Sequence, residues 1–128
     1  MKGLQPHTKI SGNDDTCGDN ATIGIITVSD RASSGEYTDE GGPAILEFFR
    51  QALASPAEII YRCIPDEISR IESVMIELVD ELGCDVIVTT GGTGPAKRDL
   101  TPDATISICD RILDGFGEQM RIISLKYV

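Results

Sequence analysis

From Ala21 onward the chain alternates between short apolar runs and longer stretches whose apolar residues recur every three or four positions. Thr22-Ile23-Gly24-Ile25-Ile26-Thr27-Val28 is rich in β-branched residues and gives way to the polar Ser29-Asp30-Arg31-Ala32-Ser33-Ser34-Gly35. That is the pattern of a buried strand running into a loop. A helix follows from about Gly42-Pro43, proline being suited to the first helical position. Its residues Ile45, Phe48, Phe49 and Ala52 fall at i, i+3, i+4 and i+7, one face of a 3.6-residue period. Ser55-Pro56 closes it. Glu58 to Ile64 reads as a second strand, stopped by Pro65-Asp66. A second helix, from about Glu67 to Leu82, sets Ile68, Ile71, Met75, Leu78, Val79 and Leu82 on one face, with Gly83 as its stop. The third strand, Asp85 to Thr90, is apolar on both faces, as central parallel strands are.

After it comes the glycine-rich Gly91-Gly92-Thr93-Gly94-Pro95-Ala96-Lys97-Arg98-Asp99-Leu100. Thr101-Pro102-Asp103 then opens another helix, with Thr101 as cap, proline at the first position and Asp103 near the positive end of the helix dipole. A Gly115-Phe116-Gly117 break precedes a last helical piece ending at Lys126. The order β-α-β-α-β-α-α predicts an α/β sandwich with a mainly parallel sheet and right-handed crossovers. Residues 1–20 show neither period and read as a disordered extension, leaving 21–128 as the domain. Three strands make a thin sheet with long edges.

Composition narrows the function. A chain of 128 residues is one domain. Eleven basic against 21 acidic residues give a net charge of −10, a field that repels polyanions and argues against a non-specific nucleic-acid or anionic-membrane binder. A local anion pocket remains compatible with it. No apolar run approaches the roughly 18 residues of a membrane span, and the first residues lack the apolar core of a signal peptide, so a cytoplasmic setting is expected. Cys17, Cys63, Cys84 and Cys109 have no metal-ligand spacing and read as small buried hydrophobes in a reducing compartment. The single histidine, His7, lies in the polar N-terminal stretch, which disfavours histidine-based nucleophile systems and zinc sites. Chemistry is left to carboxylates, hydroxyls, backbone amides and Lys or Arg.

In an open α/β sheet the ligand site lies beyond the carboxyl ends of the strands. Three loops meet there: Ser29 to Gly35, Pro65-Asp66, and Gly91 to Asp99. Gly91, Gly92 and Gly94 permit successive amides to point at one anion, or simply form a turn. The loop matches neither G-x-x-x-x-G-K-[ST] nor the dinucleotide fingerprint, whose third glycine is replaced by Lys97. Asp66 reads either as a helix cap or as a carboxylate able to hold Mg²⁺ through water or accept a proton. Asp99 beside Lys97-Arg98 is either solvated surface or part of the site, and Ser29, Asp30, Arg31 and Ser33 are loop formers or ligands. Glu72, Glu77, Asp80 and Glu81 read as a solvated helix face.

The phrase Thr89-Thr90-Gly91-Gly92-Thr93-Gly94-Pro95-x-x-Arg98-Asp99-x-Thr101-Pro102-Asp103-Ala104-Thr105 resembles the signature of the molybdenum-cofactor biosynthesis family, in its molybdopterin adenylyltransferase (MogA/MoaB) branch. Val28 to Gly35, Ile64-Pro65-Asp66-Glu67 and Gly115 to Arg121 match the same proteins in the same order. The resemblance implies a three-layer α/β/α domain, usually a homotrimer, that transfers AMP from Mg-ATP to the terminal phosphate of molybdopterin and releases pyrophosphate. It further implies Asp66 and Asp99 as the catalytic and Mg²⁺-holding carboxylates. Ser29, Asp30, Arg31, Thr90, Gly91, Gly92, Thr93, Gly94, Arg98, Thr101 and Asp103 become the candidate substrate-binding residues. Expected partners are molybdopterin, ATP and the molybdate-inserting enzyme that takes the product, with no nucleic acid and no membrane. Family members continue for a further third with another strand and an Asn-x-Pro-Gly type loop, so a C-terminally truncated domain is expected. The alternative is a non-catalytic molybdopterin-binding or scaffold module.

Overall fold

A computed structural model describes residues 4–12 and 20–128. Cys17 lies outside the described residues. Four strands form one sheet: β1 (His7–Ile10), β2 (Ala21–Val28), β3 (Ala57–Ile64) and β4 (Val86–Thr90), in the order β1-β3-β2-β4. β2 pairs in parallel with both neighbours, Val28 opposite Ile64 on one side and Thr27 opposite Thr90 on the other. β1 runs antiparallel along the outer edge of β3. The helices are α1 (Asp30–Ser33), α2 (Gly41–Ala52), α3 (Ile68–Ile76), α4 (Thr101–Ile108) and α5 (Asp114–Ser124), with one π-helical turn, Glu77–Glu81, continuing α3.

Strand β2 explains the layering. Its side chains alternate between two cores because successive residues of a strand point to opposite faces. Ile23 and Ile25 join Ile59, Ala57 and Leu46 of α2, while Ile26 and Val28 join Ile71, Val74 and Met75 of α3 and Ala104 of α4. From β2 the chain steps one way to β3, then back past β2 to β4. Right-handed crossovers made in opposite directions put α2 and α3 on opposite faces. The result is the three-layer α/β/α sandwich, with β2 covered from Ile23 to Val28.

Several expectations are corrected. Residues 1–20 do not lie wholly outside the fold: His7–Ile10 is strand β1, and Ile10, only 6% exposed, enters the α2-side core. Four residues are too few to display a period, and what orders them is the otherwise open edge of β3. The third predicted strand is not central. Among the described residues β4 pairs only with β2, and Val86 is 51% exposed. In α2 the buried stripe runs through Gly42 and Leu46, flanked by Ile45 and Phe49, whereas Phe48 faces solvent.

The long second helix ends as an α-helix at Ile76. Its buried residues are Ile71, Val74 and Met75, with Leu78 in the π turn, while Ile68, Val79 and Leu82 are exposed. Glu77 does not belong to a solvated face: it accepts from Arg62 Nη2 at 2.7 Å on the flank of β3. Thr101 is the first residue of α4 rather than its cap, which is Leu100. Gly115-Phe116-Gly117 is not a break but part of α5, a helix with no buried residue. Among the described residues no helix is long and apolar enough to cross a membrane.

Candidate functional site

The strand order reverses direction between β2 and β4, and at such a switch point the loops leaving the two strands diverge toward opposite faces and open a crevice. A cleft of about 490 Å³ lies there, floored by Thr27 and Val28 of β2 and walled by Ser29, Asp30, Arg31, Tyr37, Asp39, Gly41, Asp66, Thr90, Gly91, Gly92 and Asp99. Its lining is mostly polar, and Tyr37 is its one aromatic.

Each wall is held by named bonds. Ser29 caps α1 by accepting from the Ala32 amide at 3.2 Å, and its own amide donates to Ile64 O at 2.8 Å, tying the ends of β2 and β3. One residue on, Asp30 and Asp66 exchange bonds. The Asp30 amide donates to Asp66 Oδ2 at 2.9 Å, and the Asp66 amide donates to Asp30 Oδ1 at 3.1 Å. Asp66 is therefore not the cap of α3. That position belongs to Glu67, whose side chain makes no capping bond. Asp30 Oδ2 accepts from Arg98 Nε at 2.8 Å and forms an ion pair with Nη2 at 2.6 Å, so the glycine-rich loop is clasped to the other two.

The glycines of that loop are required by geometry. Gly91 and Gly92 sit at φ +88° and +62°, the left-handed region in which a side chain is strained. A Cβ on Gly91 would run into Val28 O, and one on Gly92 into Thr101 Oγ1 and Asp66 Oδ1. Buried Thr101 donates to Gly91 O at 3.0 Å and its amide to Gly92 O at 3.0 Å, fastening the pair from below. Further along, Asp99 Oδ2 accepts from the Ala96 amide at 2.8 Å, folding the loop back on itself. Asp66 and Asp99 each thus spend one oxygen on a backbone amide in these bonds. No three His, Cys, Asp or Glu side chains among the described residues converge as an all-protein metal cage.

Of the residues singled out in the sequence, Ser29, Asp30, Arg31, Asp66, Thr90, Gly91, Gly92 and Asp99 meet in the cleft. Arg98 reaches it through Asp30 and through Asp66 O at 3.4 Å. Thr93 and Thr101 line a neighbouring apolar groove instead, and Gly94 and Asp103 are exposed outside the cleft.

Sequence reasoning missed Asp39, whose Oδ2 accepts from Thr27 Oγ1 at 2.9 Å and Tyr61 Oη at 2.5 Å, while its carboxylate also takes the Gly41 and Gly42 amides. Burial, then the bond to Asp39, push the Tyr61 hydroxyl far above its ordinary value, so it keeps the proton it donates to Asp39. The available signal was an Asp just before Gly41-Gly42-Pro43, where free amides open a helix.

Comparison with known proteins places this geometry in a family. The model of a family described as a probable molybdopterin binding domain matches residues 24–128. A protein of Escherichia coli (strain K12) named molybdopterin adenylyltransferase is 57% identical over 106 residues, 83% of this chain and 54% of that protein. A Helicobacter pylori (strain ATCC 700392 / 26695) protein of the same name is 52% identical over 106 residues, covering 83% and 60%. Among solved structures, the tungsten cofactor synthesizing protein MoaB from Pyrococcus furiosus superposes with a TM-score of 0.73 at 34% identity, over 88% of this chain and 67% of that one. The chain spans about half the length of the E. coli relative it matches. Since the matched segment contains every residue of the cleft, from Thr27 to Asp99, the chain belongs to the family of probable molybdopterin binding domains.

Proposed function

We propose that the cleft is the adenylyl-transfer site of a molybdopterin adenylyltransferase, moving AMP from Mg-ATP to the terminal phosphate of molybdopterin. The observation that carries this reading is the pairing of two carboxylates, Asp66 and Asp99, with the left-handed Gly91-Gly92 loop in one polar cleft at the switch point. The name of the E. coli relative supports it.

The reaction asks little covalent chemistry of the protein. A terminal phosphate oxygen of molybdopterin attacks the α-phosphorus of ATP, the new P–O bond forms, and the bond from that phosphorus to the bridging oxygen of the β-phosphate breaks, releasing pyrophosphate. Positioning and charge neutralisation supply the catalysis. Backbone amides near Gly91 and Gly92 would hold phosphate oxygens. Arg98, clasped at the cleft by Asp30, adds positive charge beside them.

Mg²⁺ fits the donor set, because it typically takes one or two carboxylates and completes its shell with substrate phosphates and water. Asp66 and Asp99 would hold it through the oxygens not spent on amides, Oδ1 of each. When bound, the ion offsets the charge gathering on the phosphates. A homotrimeric assembly, a cytoplasmic setting and hand-over of the adenylylated pterin to the molybdate-inserting enzyme belong to the same reading.

The test is incubation of the 128-residue protein with molybdopterin and Mg-ATP, following pyrophosphate release and the adenylylated pterin, with Asp99→Asn as control. Turnover lost in Asp99→Asn, with stability changed by no more than about 0.5 kcal/mol, supports the enzyme. A cooperatively folded protein that binds molybdopterin without turnover supports the non-catalytic binding module instead.

A further inference from the structure

We propose that Asp30 is a positioning residue of this site: its carboxylate fixes Arg98 over the cleft and sets the backbone of Asp66, and does not itself bind phosphate or metal. The inference rests on the phosphate-transfer reading above and adds a role that reading does not contain.

The argument is one of occupied atoms. Asp30 Oδ1 accepts the Asp66 amide at 3.1 Å, and Oδ2 accepts Arg98 Nε at 2.8 Å and forms an ion pair with Arg98 Nη2 at 2.6 Å. Both oxygens are thus engaged by protein donors from two other loops. The amide of Asp30 goes to Asp66 Oδ2, so the strand ends of β2 and β3 are joined in both directions. Arg98 adds a bond from Nη2 to Asp66 O at 3.4 Å. One carboxylate thereby joins all three loops that surround the cleft.

Arg98 would not hold this pose unaided. Its side chain is 63% exposed, and a long exposed side chain left alone samples many rotamers. A hydrogen bond from Nε and a close ion pair from Nη2 onto one carboxylate oxygen fix the guanidinium plane, and in these contacts only Nε and Nη2 are engaged, leaving the Nη1 hydrogens for an incoming anion.

The inference makes a prediction opposite in sign to simple electrostatics. The chain carries a net charge of −10, and removing one more negative charge beside an anion site should tighten anion binding by Coulomb's law. If Asp30 positions Arg98, removing its charge weakens binding instead. Asp30→Asn is the discriminating variant, because it keeps an oxygen for the Asp66 amide and presents an NH₂ group where Arg98 needs an acceptor.

The experiment titrates the 128-residue protein with inorganic tripolyphosphate by calorimetry at low salt, with melting curves alongside. Asp30→Asn is expected to weaken binding about tenfold, as does Arg98→Met, with the double variant no weaker than either single one because the two act as a unit. Arg98→Lys, which keeps the charge without the two-point grip, should lose most of the affinity that Arg98→Met loses. This variant decides the matter if Asp30→Asn melts early.

Unchanged or tighter binding by a folded Asp30→Asn, additive losses in the double variant, or near-full affinity in Arg98→Lys would each overturn the proposal while leaving the phosphate reading intact. A wild-type protein that binds neither tripolyphosphate nor Mg-ATP would overturn the phosphate reading, and this inference with it.

Discussion

Tyr61 donates its hydroxyl proton to Asp39 Oδ2 at 2.5 Å, across 22 residues of sequence and from the middle of β3 to the loop before α2. The same carboxylate accepts from Thr27 Oγ1 on β2 and from the amides of Gly41 and Gly42 at the start of α2. One acid therefore fastens two strands and a helix at the edge of the cleft, away from the Asp30–Asp66 clasp. It stands apart from the proposed chemistry and bears on the rigidity of the wall.

Tyr61→Phe should lower stability by about 1 to 2 kcal/mol, the net worth of a hydrogen bond to a charged acceptor. Asp39→Ala should cost about 2 to 4 kcal/mol, because it leaves the buried Thr27 hydroxyl, the half-buried Tyr61 hydroxyl and two helix-start amides without their acceptor. Urea unfolding with an unchanged m-value reads both. Equal costs for the two variants would mean that Asp39 serves Tyr61 alone.

The same network sets an alkaline limit. Burial and Asp39 raise the Tyr61 hydroxyl well above its ordinary 10.0, and burial raises the thiols of Cys63 and Cys84 above their ordinary 9.0. Each group is an acid whose folded form holds its proton more tightly than the unfolded chain does. The stabilisation is therefore fully present below the unfolded values and is lost as pH rises beyond them. The melting temperature should hold through neutral pH, begin to fall near pH 9 and steepen above pH 10. In Tyr61→Phe the steeper second stage should vanish, and its persistence would assign the alkaline loss to other groups.

Gly92→Ala should weaken tripolyphosphate binding and stability together. The left-handed backbone alone costs a non-glycine residue about 1 to 2 kcal/mol. The added Cβ also presses on Thr101 Oγ1 and Asp66 Oδ1, displacing a proposed catalytic carboxylate. Gly115→Ala, where an added Cβ meets nothing within 4 Å, is the control and should leave binding unchanged without lowering stability, alanine being the better helix former. A Gly92→Ala protein with full affinity would show that the loop's amides are not what holds the anion.

How much of this was legible in the chain follows from the range over which each signal acts. The strand and helix rhythms from Thr22 to Thr90 are local, and so β2, β3, α2 and α3 were readable where they stand, as was the convergence of Ser29, Asp66 and Gly91 at one end of the sheet. Strand order is not local. Ile87 and Val88 look as apolar as a central strand's residues, yet among the described residues β4 lies at the end of the strand order, because pairing is decided by the crossovers on either side. β1 was invisible for the same reason, since a four-residue segment acquires order only from its partner β3. Asp39 was passed over because its partners Thr27 and Tyr61 lie 12 and 22 residues away. Glu77 looked solvated because its cation, Arg62, comes from another element.

Helix α5 supplies the last prediction. Phe116 and Met120, spaced i and i+4, are 72% and 69% exposed, and Ile123 one turn further on is exposed too. No residue of the helix is buried, and its apolar stripe faces solvent beside the exposed Ile112 and Leu113. A contiguous apolar surface of this kind binds amphipathic dyes and promotes self-association. The 128-residue protein should therefore enhance the fluorescence of 8-anilinonaphthalene-1-sulfonate while still melting cooperatively, and should scatter light increasingly with concentration. Phe116→Ser combined with Met120→Ser should reduce both signals and leave the melting temperature nearly unchanged, since side chains that contact no core contribute little to its stability, within about 0.5 kcal/mol each. A drop of many degrees in the double variant would mean that α5 docks against the sandwich in solution, and unchanged dye binding would locate the exposed surface elsewhere, with exposed Val86 of β4 the next place to test.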